Sequence, residues 1–165
     1  MNVGILTVQN YISHLPATFA AYKVQRYDIK GKRILEIHEK YFAGDIGMRH
    51  AVLSYREGDI GGLLENLVFL ELKRKNYTVY IGKLDEKEID FVAEKEGQRL
   101  YIQVCYLLAS EKTIEREFSP LRQIKDNYPK YVLSMDPILG SDYEGIKRMN
   151  IIDFLLPDGP TAWGT

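Results

Sequence analysis

Polar and apolar residues alternate along two stretches near the middle of the chain, at positions 88–92 and 100–105. A period of two is typical of strands that bury one face. Gly97 lies between the two stretches and suits a tight turn. The pattern therefore predicts an antiparallel hairpin.

The expected turn also sets the register of this hairpin. If Glu96 and Gly97 form a two-residue loop, counting back along both strands places Asp90 opposite Gln103. Directly opposed residues share a sheet face, and so do residues two apart on one strand, such as Gln103 and Cys105. An acidic side chain and an amide are thus predicted to lie side by side.

Periodicity elsewhere predicts several helices and further strands. The helix at 61–75 has the clearest pattern, with large apolar residues at core spacing. Other helices are expected at 7–21, where Pro16 interrupts the pattern, at 48–55 and at 112–127. Strands are expected at 21–27, 33–37, 41–43, 78–83, 88–94, 99–108, 131–135 and 151–156.

The order of these elements indicates the fold class. From position 61 onward it is helix, three strands, helix, strand. Short links make the first strands an antiparallel meander, and the second helix permits a crossover to a parallel neighbour. The predicted fold is α/β (α+β), a mixed sheet with helices packed on its faces.

Composition limits the classes of function. Lys and Arg total 22 against 23 Asp and Glu, a net charge of −1, so global charge gives no support for nucleic-acid binding. The chain has 1 cysteine, which excludes an internal disulfide, and no Cys/His spacing typical of zinc. No apolar run approaches the roughly 20 residues of a membrane span, and the N-terminus lacks the pattern of a secretion signal. We expect a cytoplasmic protein without membrane association.

Three residues of the predicted core are candidates for chemistry. Glu65 lies on the helix at 61–75, and Asp90 and Gln103 lie on the predicted hairpin. Hydrolysis of a phosphodiester with Mg²⁺ requires hard oxygen ligands, which two carboxylates and an amide carbonyl supply. The alternative is structural, because an acid near a helix start favours the positive end of the dipole and polar residues on a strand face are commonly only solvated.

This arrangement resembles the PD-(D/E)xK nuclease superfamily, also called restriction-endonuclease-like. The resemblance implies that Glu65, Asp90 and Gln103 form a catalytic and metal-binding site, with Mg²⁺ as the cofactor. Cys105 stands where the family has a lysine, and a thiol cannot replace an ammonium. The candidates for a cation supplied from elsewhere are Lys83, Lys112 and Arg116.

A closer resemblance extends over nearly the whole chain. Its motifs are the runs YDIKGKR at 27–33, KYF at 40–42, DIG at 45–47, GLLENLV at 62–68, EIDF at 88–91 and NYPK at 127–130. In this order they resemble the C-terminal domain of unknown function in prokaryotic AAA-type ATPases. In that family a P-loop ATPase is followed by a winged helix and a nuclease-like module.

The front of the chain departs from that family, since it has no G-x-x-x-x-G-K-[ST] run and thus no recognisable P-loop. The resemblance implies that the chain begins within the winged helix, with 7–15 as a remnant recognition helix and 22–37 as the wing. The expected domains are a partial winged-helix appendage at 1–57, a restriction-endonuclease-like domain at 58–156 and a flexible tail at 157–165. The chain would be a truncated homologue and not an ATPase.

The predicted wing is the basic cluster of the sequence. Its cations lie beside Tyr22 and Tyr27, and they are Lys23, Arg26, Lys30, Lys32 and Arg33. Such a hairpin could contact the phosphates of DNA or RNA in a salt-sensitive, sequence-tolerant way. The alternative is a solvated turn.

Three functions agree with these features. The leading hypothesis is a non-catalytic, nuclease-like module for protein interaction or for nucleic-acid binding. The rival is a Mg²⁺-dependent nuclease that uses Glu65, Asp90 and Gln103. The third is a domain that docks a separate ATPase.

Overall fold

The computed structural model describes residues 4–137 and 142–156. The helices in these ranges are α1 (Ile5–His14), α2 (Ile46–Leu53), α3 (Ile60–Arg74), α4 (Glu111–Arg122) and α5 (Ile151–Leu155), with 3₁₀ turns at Leu15–Thr18 and Glu57–Asp59. The strands are β1 (Ala21–Asp28), β2 (Arg33–Ala43), β3 (Thr78–Leu84), β4 (Lys87–Lys95), β5 (Gln98–Val104), β6 (Lys130–Ser134), β7 (Asp142–Tyr143) and β8 (Ile146–Asn150). The predicted tail at 157–165 lies outside the described residues.

One mixed sheet organises the described residues, with 8 strands in the order β2-β1-β3-β4-β5-β6-β8-β7. The β1–β3, β5–β6 and β6–β8 pairs are parallel, and the other neighbours are antiparallel. Helix α3 packs on one face in a core that includes Phe69 and Phe91, and α4 packs on the other in a core that includes Val92 and Phe118. The predicted mixed sheet flanked by helices is confirmed.

The hairpin of β1 and β2 belongs to this main sheet. Strand β1 pairs in parallel with β3, from Arg26–Ile81 to Asp28–Lys83. The ladder crosses the predicted boundary between positions 57 and 58, so the hairpin is not a separate wing. The sequence pattern did not indicate the pairing of β1 with β3, because the two strands are far apart in the chain.

Strand β2 is continuous where two strands were predicted, at 33–37 and 41–43. Between the pairs Val24–Lys40 and Arg26–Leu35, residues 36–39 of β2 face a single residue of β1. His38 has a positive φ of 59° in this bulge. The bulge interrupts the alternation along β2, which is why the pattern indicated two pieces.

The turn between β4 and β5 is as predicted. Glu96 and Gly97 have φ angles of 51° and 78°, and two successive positive angles are typical of a type I′ hairpin turn. The ladder runs in the predicted register from Lys95–Gln98 to Phe91–Ile102. The next position along both strands brings Asp90 to Gln103.

Strand β4 has a bulge at this point, where Asp90 and Phe91 together face one residue of β3. As a result Ile89 and Val92, three apart, both contribute to the core on the α4 side. Gly82 leaves the room they need, because a Cβ there would lie 2.8 Å from the Ile89 Cβ and 2.9 Å from the Val92 Cγ2. Asp90 thus departs from the strict alternation of a strand.

The strand predicted at 151–156 is wrong, because this segment forms helix α5. The Asn150 side chain caps the helix by accepting a hydrogen bond from the Ile152 N–H at 2.8 Å, and Ile151 and Phe154 are buried. The strand next to β6 is β8, which ends where α5 begins. A short apolar run has no periodicity that separates a strand from a buried helical turn.

Helices α1 and α2 present apolar side chains to solvent. Every described side chain of α1 is exposed, including Leu6 at 76% and Tyr11 at 71%, and α2 exposes Val52 at 76%. We call the exposed apolar side chains of α1, of the turn after it and of α2 the N-terminal apolar surface. Its members are Ile5, Leu6, Val8, Tyr11, Ile12, Leu15, Phe19, Met48, Val52 and Leu53.

None of the helices within residues 4–137 and 142–156 has the length and apolar character needed to cross a membrane.

Candidate nuclease-like site

Asp90 and Gln103 lie together where the regular β4–β5 ladder ends. The Gln103 Oε1 accepts a hydrogen bond from the Asp90 N–H at 2.7 Å, and the Asp90 Oδ2 accepts one from the Val104 N–H at 2.7 Å. Side chains therefore take the place of backbone partners at this end of the hairpin. The two residues are adjacent, as the register predicts, but the Gln103 amide bonds the Asp90 backbone and not its carboxylate.

Helix α3 brings Glu65 to the same region and also fixes β2 there. The buried Asn66 accepts a hydrogen bond from the Ala43 N–H at 2.8 Å and donates one to the Ala43 carbonyl at 2.9 Å. This clamp holds the end of β2 against the first half of α3. Lys40, on β2, is thereby placed next to Glu65.

Lys40 lies between two of the acids, Glu65 and Glu88. Its Nζ lies 2.7 Å from the Glu65 Oε2 and 3.3 Å from the Glu88 Oε1, and the other Glu88 oxygen lies 2.6 Å from the Arg26 Nη1. Burial alone would lower the pKa of Lys40, but Glu65, Glu88 and Asp90 outweigh burial and raise it. Lys40 is therefore a permanent positive charge in the site.

A further acid, Glu117 on α4, closes the site from the other face of the sheet. Its side chain is 8% exposed, and its Oε1 lies 2.6 Å from the Arg116 Nη2. The Gln103 Nε2 donates a hydrogen bond to the Glu117 Oε2 at 3.3 Å. Gln103 thus links the backbone of β4 to helix α4.

Asp90 differs from the other acids of the site. Glu65, Glu88 and Glu117 each form an ion pair, whereas Asp90 has none among the residues that the structure describes. Burial and the nearby Glu65 carboxylate raise the pKa of Asp90 to about 8, although the Val104 N–H favours the ionised form. Asp90 is therefore largely protonated at neutral pH.

Cys105 does not supply the charge of the family's lysine. Burial, followed by the nearby acids Glu117, Asp136 and Asp90, raises the pKa of its thiol to about 12. The thiol is neutral at pH 7 and packs in the core on the α4 side. The structure therefore places a neutral packing residue where the resemblance implies a cation.

The donors do not fit a resident Mg²⁺ ion as they stand. Mg²⁺ requires near-octahedral oxygen ligands at about 2.0–2.1 Å, yet the Lys40 ammonium binds the Glu65 carboxylate and the Gln103 carbonyl faces the Asp90 N–H. Across residues 4–137 and 142–156, no three His, Cys, Asp or Glu side chains are grouped to hold a metal. The catalytic and metal-binding roles of Glu65, Asp90 and Gln103 stay predictions.

Sequence reasoning did not find Lys40 as the cation of this site. Among the described residues, Arg116 pairs with Glu117, while Lys83 and Lys112 have exposed side chains. Lys40 belongs to the run KYF at 40–42, but no spacing linked it to Glu65, because its position depends on the bulge in β2 and on the clamp between β2 and α3.

Sequence reasoning also missed Glu117, although a signal was present. Glu117 precedes Phe118 and lies four residues before Leu121, on the buried side of α4. An acid at a core position of an amphipathic helix requires a partner. That mismatch in the pattern could have drawn attention to it.

Most of the basic residues predicted to bind nucleic acid have an acid beside them. Four of them lie close to acids: Lys23 to Glu39 at 2.6 Å, Arg26 to Glu88 at 2.6 Å, Lys30 to Asp85 at 2.5 Å and Arg33 to Asp28 at 3.7 Å. Lys32 is exposed in the turn. Neighbouring acids cancel much of the positive potential that attracts phosphates. Nucleic-acid binding by this hairpin stays a prediction.

Comparison with known proteins gives relatives whose own functions are not described. A protein of Haemophilus influenzae, named as uncharacterized, is 39% identical over 150 residues, which cover 91% of this chain and 37% of that protein. An uncharacterized protein of Methanocaldococcus jannaschii is 34% identical over 155 residues, which cover 88% of this chain and 32% of that protein. The chain thus spans about a third of the length of these relatives. No family model matches the chain.

Proposed function

We propose that this chain is a non-catalytic, nuclease-like interaction module that docks an ATPase-type protein through the N-terminal apolar surface. The supporting observation is the exposure of α1, whose described side chains include large apolar residues and of which none is buried. A helix of 10 residues is marginal in water unless one face packs against something else. An apolar surface of this kind is typical of a protein contact site.

The contacts within the candidate site support a non-catalytic role. Lys40 holds the Glu65 carboxylate, and Asp90 and Gln103 engage backbone N–H groups. These groups are satisfied by the protein itself, so they contribute to its stability without a metal or a substrate.

The lengths of the relatives support the choice of partner. Both relatives carry roughly twice as much further sequence as the part they share with this chain. We infer that this further sequence holds the ATPase and winged-helix parts that the resemblance implies. A cytoplasmic location belongs to the same proposal, because an ATPase partner requires the ATP pool of the cell interior.

The test mixes the purified chain with the remainder of the Haemophilus influenzae relative, expressed without the shared segment. Leu6→Glu puts a charge on α1 and should weaken the affinity, measured by titration calorimetry, by about tenfold or more. The matched control is Ile152→Glu on α5, whose side chain is also apolar and 51% exposed, and it should leave the affinity unchanged. No association, or equal losses in both variants, would overturn the docking proposal.

The rival nuclease function leads to a different result. Cleavage of DNA or RNA by the chain with Mg²⁺ or Mn²⁺, abolished by Asp90→Asn, would overturn the non-catalytic part of the proposal. Docking through α1 would be unaffected by that outcome, because the two experiments use different surfaces.

A further inference from the structure

We propose that two copies of this chain cover each other's N-terminal apolar surface, each placing helix α1 in an apolar groove of the other. The pairing regulates docking, and in that respect it rests on the proposed function, because one surface cannot be covered by a second copy and by an ATPase-type partner at once. The pairing itself is tested on the chain alone.

The groove lies beside the end of α1 in the same protomer, and we call it the α2 groove. It is open, has a volume of about 540 Å³ and has a largely apolar lining. The turn after α1, strand β2 and helix α2 supply its large apolar residues, which include Leu15, Phe42, Met48, Val52 and Leu53. An open groove of this kind receives apolar side chains of an inserted helix.

Helix α1 has the spacing of a helix that packs along one side. Ile5, Val8 and Ile12, followed by Leu15 in the next turn, are three, four and three positions apart. This is the a and d pattern of helices that pack side by side. Within its own protomer α1 contacts mainly the 3₁₀ turn that follows it, and none of its described side chains is buried.

One protomer thus presents both halves of a contact, an exposed apolar helix and an apolar groove. Two copies that exchange their helices make the same contact twice about a two-fold axis, which closes the pair. Such an axis brings identical residues close together, so like charges there would repel. Residues 4–21 contain no Asp, Glu, Lys or Arg, so α1 and the turn after it are suited to meet their own copies.

The charges that line the α2 groove do not oppose the entry of an apolar helix. Its two cations are each ion-paired, Lys40 with Glu65 at 2.7 Å and Arg49 with Asp59 at 2.7 Å. An inserted apolar side chain therefore leaves each of these cations with the acid it already has.

The exposed area agrees with a stable pair. The side chains of the N-terminal apolar surface are 37–77% exposed. Together they present on the order of 1,000 Å² per copy, and a standard interface buries about 800 Å² per partner. Interfaces of that size have micromolar affinity or better.

Sedimentation equilibrium of the purified chain tests the pairing, and we expect a dimer at about 10 µM. Gly62→Leu puts a side chain into the α2 groove, which Gly62 lines. A Cβ at Gly62 would meet no described atom within 4 Å, so the variant should fold, and it should dimerise about tenfold or more weakly. The matched control is Gly61→Leu on the same helix, where a Cβ also has open space, and it should dimerise as the wild type does.

A mixing experiment tests the exchange of helices. Ile12→Glu puts a charge on α1 and should also weaken the dimer by about tenfold or more. A mixed pair of Ile12→Glu with Gly62→Leu retains one intact contact, since one copy has a normal α1 and the other a normal groove. It should therefore associate more tightly than either variant does with itself.

A monomer at every concentration measured, or a series of species larger than a dimer, would overturn the pairing. Equal affinities for Gly62→Leu and Gly61→Leu, or no gain on mixing, would overturn the exchange of α1. Docking is judged separately, by titration with the remainder of the Haemophilus influenzae relative. A dimer that does not bind the remainder would remove docking and keep the pairing, and a monomer that binds it would do the reverse.

Discussion

Helices α1 and α3 have similar sequences in one respect, since both are rich in large apolar residues, but they use those residues in opposite ways. Helix α3 buries Leu63, Leu64, Val68, Phe69 and Leu72 against the sheet, whereas none of the described side chains of α1 is buried. Helix α3 is held by the chain's own core. Helix α1 has an apolar side that the described residues leave open.

The largest expected effect comes from removing a large side chain of α3 from the core. Phe69 is 1% exposed and stacks on Phe42 with ring centres 4.4 Å apart. We expect Phe69→Ala to lower the free energy of unfolding by about 3–5 kcal/mol, through lost burial and the cavity left behind. Leu6→Ala on α1 should change it by about 0.5 kcal/mol or less. Urea denaturation of both variants measures the difference, and equal losses would show that α1 also packs on this core.

A smaller effect is expected from Asp90, the acid of the candidate site that forms no ion pair among the described residues. The pKa of Asp90 is raised to about 8 in the folded protein, against roughly 3.9 in the unfolded chain. Between these values the unfolded chain releases the proton and the folded protein retains it. The free energy of unfolding should therefore fall as the pH rises, by at most about 1.4 kcal/mol per pH unit.

Asp90→Asn tests this dependence, because Asn cannot ionise but keeps an oxygen for the Val104 N–H. Relative to the wild type, the variant should gain roughly 2 kcal/mol between about pH 5 and about pH 7. Urea denaturation at several pH values measures the gain. Parallel pH profiles for the two proteins would mean that Asp90 is already ionised in the folded state.

The smallest effect is expected in the hairpin of the N-terminal half, where charge rather than apolar surface is exposed. Replacing Lys30 and Lys32 together by Ala should change DNA affinity by less than about twofold and leave its salt dependence unaltered. The reason is that Lys30 already faces Asp85 and the neighbouring cations have acids beside them. Fluorescence anisotropy at several salt concentrations measures both quantities. A large loss with a flatter salt dependence would restore the hairpin as a nucleic-acid site.

Local rules were enough to predict the β4–β5 hairpin. A two-residue turn and an alternation of period two fix the register, so the proximity of Asp90 and Gln103 followed from counting. The bulge at Asp90 could not be predicted in that way, because Glu88–Phe91 alternates normally in the sequence. The bulge arises from packing, since Ile89 and Val92 share one core opposite Gly82.

Long-range features were beyond the sequence pattern. Lys40 reaches Glu65 because β1 joins β3 in parallel, β2 is bulged and Asn66 binds Ala43. None of these contacts leaves a local signature. Helix α5 was missed for a different reason, because its few apolar residues match a strand and a helical turn equally well.

Gly82 has no side chain, and the space this leaves allows β4 to bulge at Asp90. A methyl group there would collide with Ile89 and Val92, so a substitution at this position forces the bulged part of β4 to shift. That shift would move the Asp90 carboxylate without adding or deleting any charge. A Gly82→Ala protein would therefore show how far the surroundings of this acid set its ionisation, which no substitution of Asp90 itself can show because it removes the carboxyl group.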